Sequence, residues 1–494
     1  MITAEQVRKL LSNRFVQWNL KQLAKRDKNG RTRVDAVLCA AAGLEKAKLS
    51  NLPYTIIFGL LPKIVKVDKK ELVEVYSHRR NRRAIANVAR SVSTLGLSTP
   101  QKFTSPILIV WNFTNACNLT CKHCYQNARK ALPDEMTLEE RLALIDQMVA
   151  NDLSALAIAG GEPLIHKDFW PVAEYAHKNG IYLAVATNGT LITKEVAKRL
   201  VDVGVDYVEI SVDSVTPAIH DAFRGGEGNW QRAVDGVKNA VEAGLNVGIA
   251  TTATRRGYSE MKELIELSKE LKVNSFYAFN FIPTGRGKAI TDDDLPPETR
   301  EEMLALLYKT FMEKDVFAFS TCPQYGRFCY ESNPDDAIVN SHYGYLEGQQ
   351  AKMLADYIGG CGAGRLYCAV QPDGKVTPCV FMPKEVVGDL RKNSLAEIWQ
   401  NSQVMDALRD RSQLKGHCGK CEFRSMCGGC RARAYGYFGD YQAPDPGCKF
   451  NKDAWEELVA QHTVHDDEPE PQKEAYFDHK KRRFPALFLC LFAP

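Results

Sequence analysis

The sequence lacks three features that would assign it to other classes of protein. It has no run of about 18 uncharged apolar residues, so no membrane-spanning helix is predicted. Its first 20 residues mix charged and apolar side chains, which does not fit a secretory signal peptide. Its charge is nearly balanced, with 64 Lys and Arg against 60 Asp and Glu, which argues against a protein dedicated to packaging nucleic acid. We therefore expect a cytoplasmic protein with no nucleic-acid partner.

The chain is long and contains 15 cysteines. Its 494 residues suffice for two to four domains, and 45% of them are hydrophobic. Residues 1–105 are predicted to form a basic, mainly helical extension, with nine Lys or Arg between Lys63 and Arg90. This basic stretch is interpreted first as a solvated helix face. The alternatives are a surface for an acidic substrate, an anionic membrane or RNA.

From residue 106 the pattern changes to β-rich apolar runs separated by helical patterns. Thr137 and Glu140 form a predicted capping box at the first of these helices. Strands that alternate with helices predict an α/β fold with a parallel sheet, here a partial (βα)6 barrel over residues 106–300. Such folds carry their chemistry at the C-terminal ends of the strands. The six runs are Ile107–Thr114, Leu153–Gly160, Tyr182–Asn188, Tyr207–Asp213, Asn246–Thr254 and Ser275–Pro283.

Three further segments follow the predicted barrel. Residues 301–360 are expected to be a mixed helical and irregular connector. Residues 361–450 are dense in cysteine and glycine and are expected to form a cysteine-rich domain. Residues 451–494 combine acidic, basic and apolar runs and are interpreted as a largely disordered tail.

The first cysteine cluster lies just after the first predicted strand. Cys117, Cys121 and Cys124 fall within eight residues, so one loop could surround one cluster. Three thiolates would ligate three irons of a 4Fe-4S cube and leave the fourth open to a non-protein ligand. The alternative is a zinc knuckle completed by His123, although structural zinc sites usually draw their ligands from two separated pairs.

This C-x3-C-x2-C spacing after a first strand resembles the radical S-adenosylmethionine (radical SAM) superfamily. The resemblance implies that the open iron binds the amino and carboxylate groups of S-adenosylmethionine. Reduction by a donor such as ferredoxin or flavodoxin would then yield a 5′-deoxyadenosyl radical that abstracts a substrate hydrogen. The cofactors would carry the difficult chemistry, and the protein would supply position and dryness.

Further matches to the family fall at predicted strand ends. Gly160, Gly161, Glu162 and Pro163 end the second strand and resemble the motif that contacts the methionine amine. The resemblance extends to other positions expected to contact the cofactor. These are Thr187 and Asn188 at the end of the third strand, Ser211 at the end of the fourth, Arg224 beyond it, and Tyr125 beside the last cysteine of the loop. An arginine suits the carboxylate because its planar guanidinium binds it in two places.

The second cysteine region holds eight cysteines, enough for two fully ligated 4Fe-4S clusters. The alternative is two zinc sites. The region resembles the SPASM extension of radical SAM enzymes, although Cys427 and Cys430 are one residue closer together than in the commonest form of that motif. By position, the resemblance implies a first auxiliary cluster on Cys361, Cys368, Cys379 and Cys430, and a second on Cys418, Cys421, Cys427 and Cys448.

Three segments of the sequence bear on the substrate. The segments around Phe281–Gly287, Cys361–Gly364 and Cys427–Arg433 resemble members that modify tetrapyrrole side chains, and also peptide maturases. A tetrapyrrole with several carboxylates would suit cationic groups in the cavity, for which Arg286, Lys288, Arg431 and Arg433 are candidates. The alternatives are a peptide or protein maturase, a lipid-modifying enzyme with peripheral membrane contact, and a non-enzymatic zinc-binding adaptor.

Two further cysteines lie between the predicted barrel and the cysteine-rich domain. Cys322 and Cys329 are candidates for a catalytic role, as thiol partners of the substrate or as a hydrogen-atom donor. The alternative is that both are buried apolar residues. Cys39 and Cys490 are isolated and receive no role.

Overall fold

The computed structural model describes residues 9, 11–65, 69–333, 339–341, 344–346 and 355–461. Its N-terminal segment is helical, as predicted, with a small apolar core around Leu23, Val37 and Tyr76. A side-chain cap begins each of the first two helices, from Asn13 and Thr32. The helices are α1 (Arg14–Leu23), α2 (Arg33–Ala41), α3 (Leu52–Val65), α4 (Lys69–Ser77) and α5 (Arg79–Leu95).

The basic stretch is not simply a solvated face, contrary to its first interpretation. Arg82 and Arg83 on α5 are buried. The Arg80 guanidinium lies 2.5 Å from Asp206, and that of Arg90 lies 2.6 Å from the buried Asp152. Helix α5 therefore uses its cations to attach the N-terminal helices to the barrel.

The predicted α/β fold is confirmed. Six strands pair in parallel and in chain order, each in register with the next. Because the strands run the same way, their C-terminal ends meet at one edge of the sheet. The strands are β1 (Leu108–Asn112), β2 (Ala155–Ala159), β3 (Tyr182–Thr187), β4 (Tyr207–Ser211), β5 (Val247–Ala253) and β6 (Ser275–Asn280).

Helices cover the outer face of this sheet. The capping box is confirmed: Thr137 accepts from the Glu140 amide, and Glu140 accepts from the Thr137 amide. Two helices follow β5, and Glu260 separates them. The helices are α6 (Leu138–Ala150), α7 (Phe169–Lys178), α8 (Lys194–Asp202), α9 (Pro217–Arg224), α10 (Asn229–Glu242), α11 (Arg255–Ser259) and α12 (Met261–Glu270).

The sheet extends beyond the six predicted strands at both edges. Helix α13 (Pro297–Glu313) leads into β7 (Phe317–Ser320), which pairs in parallel with β6. These elements lie in the segment expected to be a connector, so that segment supplies one more βα unit. Helix α14 (Gln324–Ser332) and a small pair of strands, β8 (Val339–Ser341) and β9 (Gly344–Leu346), follow.

At the other edge, the cysteine-rich segment joins the same sheet. Strand β10 (Tyr367–Val370) pairs in parallel with β1, and β11 (Lys375–Thr377) and β12 (Gly388–Asp389) continue antiparallel. Helices follow at α15 (Leu395–Asn401), α16 (Gln403–Arg409), α17 (Gly416–Lys420), α18 (Arg431–Phe438) and α19 (Lys452–Gln461). The first ten residues of the expected tail are thus mostly helical, and residues 462–494 lie outside the described residues.

Candidate iron–sulfur and cofactor site

The loop after β1 holds Cys117, Cys121 and Cys124, all half-buried. Two backbone amides of this loop donate hydrogen bonds to the end of helix α9. The Thr120 and Lys122 amides donate to the Arg224 and Phe223 carbonyls at 3.2 and 2.9 Å. The end of helix α9 therefore positions the middle of the cysteine loop.

Gly160 and Gly161 bring the end of β2 against the start of this loop. The Gly161 amide donates to the Thr114 carbonyl at 2.8 Å, and the Glu162 amide donates to the Ala116 carbonyl at 2.9 Å. A Cβ on Gly161 would lie 2.0 Å from the Ala116 oxygen, and Gly160 has φ +124°. Only glycine lets the two backbones approach this closely.

Glu162 joins the ends of β2 and β3. Its fully buried carboxylate accepts from the Thr187 hydroxyl at 2.8 Å and the Asn188 amide at 2.9 Å. Burial raises the pKa of Glu162 to about 7, against the opposing effect of these hydrogen bonds. The Asn188 side chain also donates to Asn118 of the cysteine loop at 2.8 Å. Sequence reasoning did not identify Asn118.

Arg224 is held by an acid that sequence reasoning did not assign a role. Its Nε lies 2.6 Å from the Asp213 carboxylate, and both side chains are buried. Burial alone would raise the pKa of Asp213, but Arg224 and two histidines bring it down to about 2. Burial raises the pKa of Cys121, and Arg224 opposes that shift. Ser211 lies half-buried at the end of β4 on this side of the sheet.

Burial shifts the pKa values of the loop's first thiol, Cys117, and of His123. Burial, together with the neighbouring Glu162 and the other two thiols, raises the pKa of Cys117 to about 12. The sulfur atoms of Cys117 and Cys124 accept from the Leu119 and Ala128 amides at 3.4 Å. Burial lowers the pKa of His123 to about 4, and its ring stacks on Phe223.

Arg286, a carboxylate-binding candidate, is a support for the loop instead. It donates from Nε to the Cys121 carbonyl at 2.7 Å and from its amide to the Cys124 carbonyl at 2.9 Å. A Cβ on Gly285 would lie 2.3 Å from that same Cys124 oxygen. Tyr125 donates from its hydroxyl to Asn112 at the end of β1 at 2.8 Å.

A second group of thiols lies on the inner face of β10. Cys379, Cys430 and the half-buried Cys361 share one apolar cluster with Tyr367 and Val110. The Tyr367 hydroxyl lies 2.8 Å from the Cys379 sulfur. Burial raises the pKa of Cys379 to about 12, with a smaller contribution from Cys361.

Cys368, the fourth residue expected in this group, is on the other face of the sheet. It pairs in register with Ile109, whereas Ala369 pairs with Val110 of the inner face. Cys368 packs into the main core with Trp399 and Met405, under helices α15 and α16. Side chains alternate along a strand, so Tyr367 points inward and Cys368 outward.

A third group contains the remaining four cysteines of the C-terminal region. Cys418 and Cys448 each contribute to the raised pKa of Cys427, for which burial is the main cause, and Cys418 also acts on Cys421. The Cys361 amide donates to the Cys427 carbonyl at 3.1 Å, so this group adjoins the second. Asp445 lies between them, because its amide donates to the Cys418 sulfur at 3.4 Å and its carboxylate accepts from the Cys430 amide at 2.6 Å.

The donors of all three groups fit iron–sulfur clusters. Every cysteine in the described part is free of disulfides, and sulfur atoms in each group accept amide hydrogen bonds, as cluster thiolates do. Within the described ranges no three His, Cys, Asp or Glu side chains are close enough together to hold one metal ion. A four-iron cube spreads its thiolates over separate irons and needs no such convergence.

The other predicted residues are mostly occupied by the chain itself. Arg431 donates to the Tyr441 and Ala443 carbonyls, Arg433 donates to Asp445 at 2.9 Å, and Lys288 is exposed. Cys329 is completely buried in the barrel core. Cys322 is also buried and donates to Gln324 at 2.5 Å.

This arrangement is matched by two family profiles. The profile of the Radical SAM superfamily covers residues 111–285, and that of the SPASM iron–sulfur cluster-binding domain covers residues 361–422. The chain belongs to the radical SAM superfamily. The protein is therefore an enzyme. Its barrel binds a 4Fe-4S cluster and S-adenosylmethionine, and its C-terminal region binds auxiliary iron–sulfur clusters.

Several relatives are similar over most of their length. The AdoMet-dependent heme synthase of Methanosarcina barkeri is 35% identical over 349 residues, which cover 70% of this chain and 96% of that protein. The pre-heme d1 synthase of Dinoroseobacter shibae is 31% identical over 69% of this chain and 85% of its own. The mycofactocin maturase of Mycolicibacterium smegmatis is 29% identical over 70% and 83%.

A solved structure supports the fold over a larger share of the chain. Streptococcus suis SuiB bound to its precursor peptide SuiA has a TM-score of 0.62 at 16% identity, covering 85% of this chain and 93% of that one. At this identity the likeness concerns the fold.

None of the helices in the described ranges is long and apolar enough to cross a bilayer.

Proposed function

We propose that this enzyme modifies the side chains of a carboxylate-bearing tetrapyrrole in cofactor biosynthesis. The observation that carries the proposal is the 35% identity to a heme synthase over nearly all of that relative's length. The similarity to a pre-heme d1 synthase points to the same substrate class. When bound, the cluster and S-adenosylmethionine supply a radical that removes a hydrogen atom from the substrate.

The proposed ligands of the first cluster are Cys117, Cys121 and Cys124. The support is their single loop, held by α9, β2 and Arg286. Glu162 and the backbone of Gly160 and Gly161 would orient the methionine part of the cofactor, with Pro163, Thr187, Asn188, Ser211, Arg224 and Tyr125 completing its surroundings. Arg224 is already paired with Asp213, so any cofactor carboxylate would use its remaining donors.

For the auxiliary clusters we propose seven cysteine ligands instead of eight. Cys361, Cys379 and Cys430 form one set, and Cys418, Cys421, Cys427 and Cys448 form the other. Cys368 is left out because its side chain points to the opposite face of β10. Residues 106–300 and 361–450 would be the two cluster-binding units, with the connector contributing β7 to the first.

The experiment that tests this function uses anaerobically reconstituted, reduced protein with S-adenosylmethionine. We expect 5′-deoxyadenosine release, and we expect a porphyrin bearing several propionates to increase the rate and to change in mass. Release of 5′-deoxyadenosine without any change in the porphyrin would reject the tetrapyrrole substrate while retaining the superfamily chemistry.

A peptide is the second candidate substrate. It is favoured by the 29% identity to a mycofactocin maturase. A genomic neighbourhood with a short peptide gene, and a peptide that stimulates 5′-deoxyadenosine release where porphyrins do not, would support it over the tetrapyrrole.

The remaining partners are proposed from surface chemistry. An electron donor such as ferredoxin or flavodoxin would reduce the clusters in the cytoplasm.

We also propose peripheral contact with an anionic membrane, because eight of the sixteen exposed large apolar side chains in the described part lie between Phe15 and Leu60. Exposed Lys46 and Lys48 lie within the same stretch of sequence, between the exposed Leu44 and Leu49.

A vesicle-binding assay checks the membrane contact. We expect the holoenzyme to co-sediment with vesicles containing phosphatidylglycerol and an Ile56→Asp/Ile57→Asp variant to remain in solution. A Val201→Asp variant, altered at an exposed apolar residue on α8, serves as the control. Equal sedimentation of all three would reject the contact.

A further inference from the structure

Glu209 is a buried acid in the middle of β4 that the proposed chemistry leaves unused. Only 4% of its surface is exposed. Its Oε2 has no hydrogen-bond partner within the described part of the chain. A buried carboxyl without a partner is costly, which makes its presence in a strand of a catalytic barrel informative.

The side chain of Glu209 points into the barrel. Its neighbour Ile210 lies on the outer side, against Gly189 and helix α10. Tyr207, two residues before Glu209, reaches across β5 on the other side to hydrogen bond with Ser275 at 2.8 Å. Because residues two apart share a face of a strand, Glu209 lies with Tyr207 on the inner side.

The neighbouring strands offer the carboxyl no side-chain partner. In register, Glu209 is flanked by Ala186 of β3 and Gly248 of β5. Neither residue carries a side chain that could bond to it. Ser211, two residues further along β4 towards the cysteine loop, is half-buried and shares the inner face with Glu209.

The groups that face Glu209 are phenols. Its carboxyl contributes to the raised pKa of Tyr207 and Tyr277, for which burial is the main cause, and of Tyr125 beside the cysteine loop. Burial raises the pKa of Glu209 itself to about 8, and no neighbouring cation opposes it. A protonated carboxyl is a hydrogen-bond donor, which suits an acceptor such as a carboxylate.

We infer that Glu209 is a substrate-binding residue that donates a hydrogen bond from its protonated carboxyl to a carboxylate of the substrate inside the barrel. This inference rests on the proposed tetrapyrrole function and names the acid that receives one of its side chains. A bound carboxylate would give Glu209 the hydrogen-bond partner that no residue in the described part of the chain provides for its Oε2.

The test is a titration of reconstituted, unreduced holoenzyme with iron-coproporphyrin III, followed by the porphyrin absorbance from pH 6.5 to 9.5. We expect Glu209→Leu to bind roughly tenfold to a hundredfold more weakly at pH 7, since a hydrogen bond to a charged group is lost. Glu209→Gln keeps an N–H donor and should bind within a few-fold of the wild type.

The pH profile separates this role from a structural one. Wild-type affinity should fall as pH rises through about 8, whereas the affinity of Glu209→Gln should not change in that range. Glu174→Gln, at an exposed residue of α7, should retain the wild-type profile. Iron content and the far-ultraviolet circular dichroism spectrum check that Glu209→Leu is folded.

Two results would overturn the inference, and they are distinguishable. If the wild type and Glu209→Leu bind the porphyrin equally and with the same pH profile, Glu209 is not a binding residue although the proposed function stands. If the wild type does not bind the porphyrin at all, the proposed tetrapyrrole function fails, and the inference falls with it.

Discussion

The two cysteine-bearing regions differ in what holds their thiols in place. In the barrel, three thiols lie on one loop, and the ends of β2 and α9 fix that loop through backbone hydrogen bonds. In the C-terminal region, the thiols come from separate loops and short helices spread from Cys361 to Cys448. Local spacing therefore determines the first site, whereas tertiary contacts determine the others.

The largest expected effect is in the barrel. Cys121→Ala should reduce 5′-deoxyadenosine release to background, at least a hundredfold, because two thiolates do not hold the cofactor-binding cluster. The variant should keep about eight of an expected twelve irons, since the auxiliary sites are separate. Unchanged release would contradict the assignment of this loop.

A matched pair of variants tests the C-terminal region. Cys379→Ala should lose about a third of the iron or bind one cluster loosely, because Cys379 packs with Cys361 and Cys430 on the inner side of the sheet. Cys368→Ala should retain the wild-type iron and sulfide content, because its side chain faces the helices on the other side. Equal iron loss in both variants would restore Cys368 as a ligand.

The close backbone approach in the barrel can be broken without touching a ligand. Gly161→Ala would place a Cβ against the Ala116 carbonyl and displace the cysteine loop. We expect 5′-deoxyadenosine formation to fall about a hundredfold, as a displacement of 1 Å can cause. Gly59→Ala, on an open face of α3, is the control and should retain full rate.

The reduction potentials of the C-terminal clusters should depend on the hydrogen bonds to their sulfur ligands. Tyr367→Phe removes a hydroxyl 2.8 Å from the Cys379 sulfur while leaving the thiols intact. We expect one cluster to shift to a more negative reduction potential, measured by electron paramagnetic resonance titration, with no loss of iron. Tyr435→Phe, in the same apolar cluster, should leave all potentials unchanged. A loss of iron from Tyr367→Phe would contradict a hydrogen-bonding role.

The smallest expected effect is on the free energy of unfolding, and it can be compared between the two regions. Each has a capping box, Thr137 with Glu140 in the barrel and Ser394 with Glu397 beyond it. Thr137→Ala and Ser394→Ala should each lower the free energy of unfolding by about 1 kcal/mol. Because β10 belongs to the barrel sheet, we expect both variants to shift one common unfolding transition. Separate transitions would indicate independent folding units.

Much of the fold was predictable because local patterns are strong in its parallel strands. The six runs and the capping box correspond to observed elements. Strand β7 was missed because its apolar run, Val316–Phe319, is short and follows closely on a long helix. The outward direction of Cys368 was missed because spacing counts residues, and only the register with Ile109 shows which face it occupies.

The candidate site divides in the same way. The cysteine loop and Gly160–Pro163 carry their signal in consecutive residues. Asp213, Asn118 and Glu209 carry none, since their roles arise from strands that meet only in the folded chain. The cationic candidates differ: Arg286 and Arg431 are bound by carbonyls of the chain itself, whereas Arg433 bonds Asp445 through Nε and leaves both terminal nitrogens without a hydrogen-bond partner in the described part.

The central claim is that this chain generates a radical in its barrel and uses it on a tetrapyrrole. The most direct measurement is 5′-deoxyadenosine release by reduced, reconstituted protein with S-adenosylmethionine, with and without iron-coproporphyrin III, alongside the mass of the recovered porphyrin. We predict release that rises with the porphyrin and a porphyrin of altered mass. No release under either condition from protein that holds its full complement of iron would contradict the account.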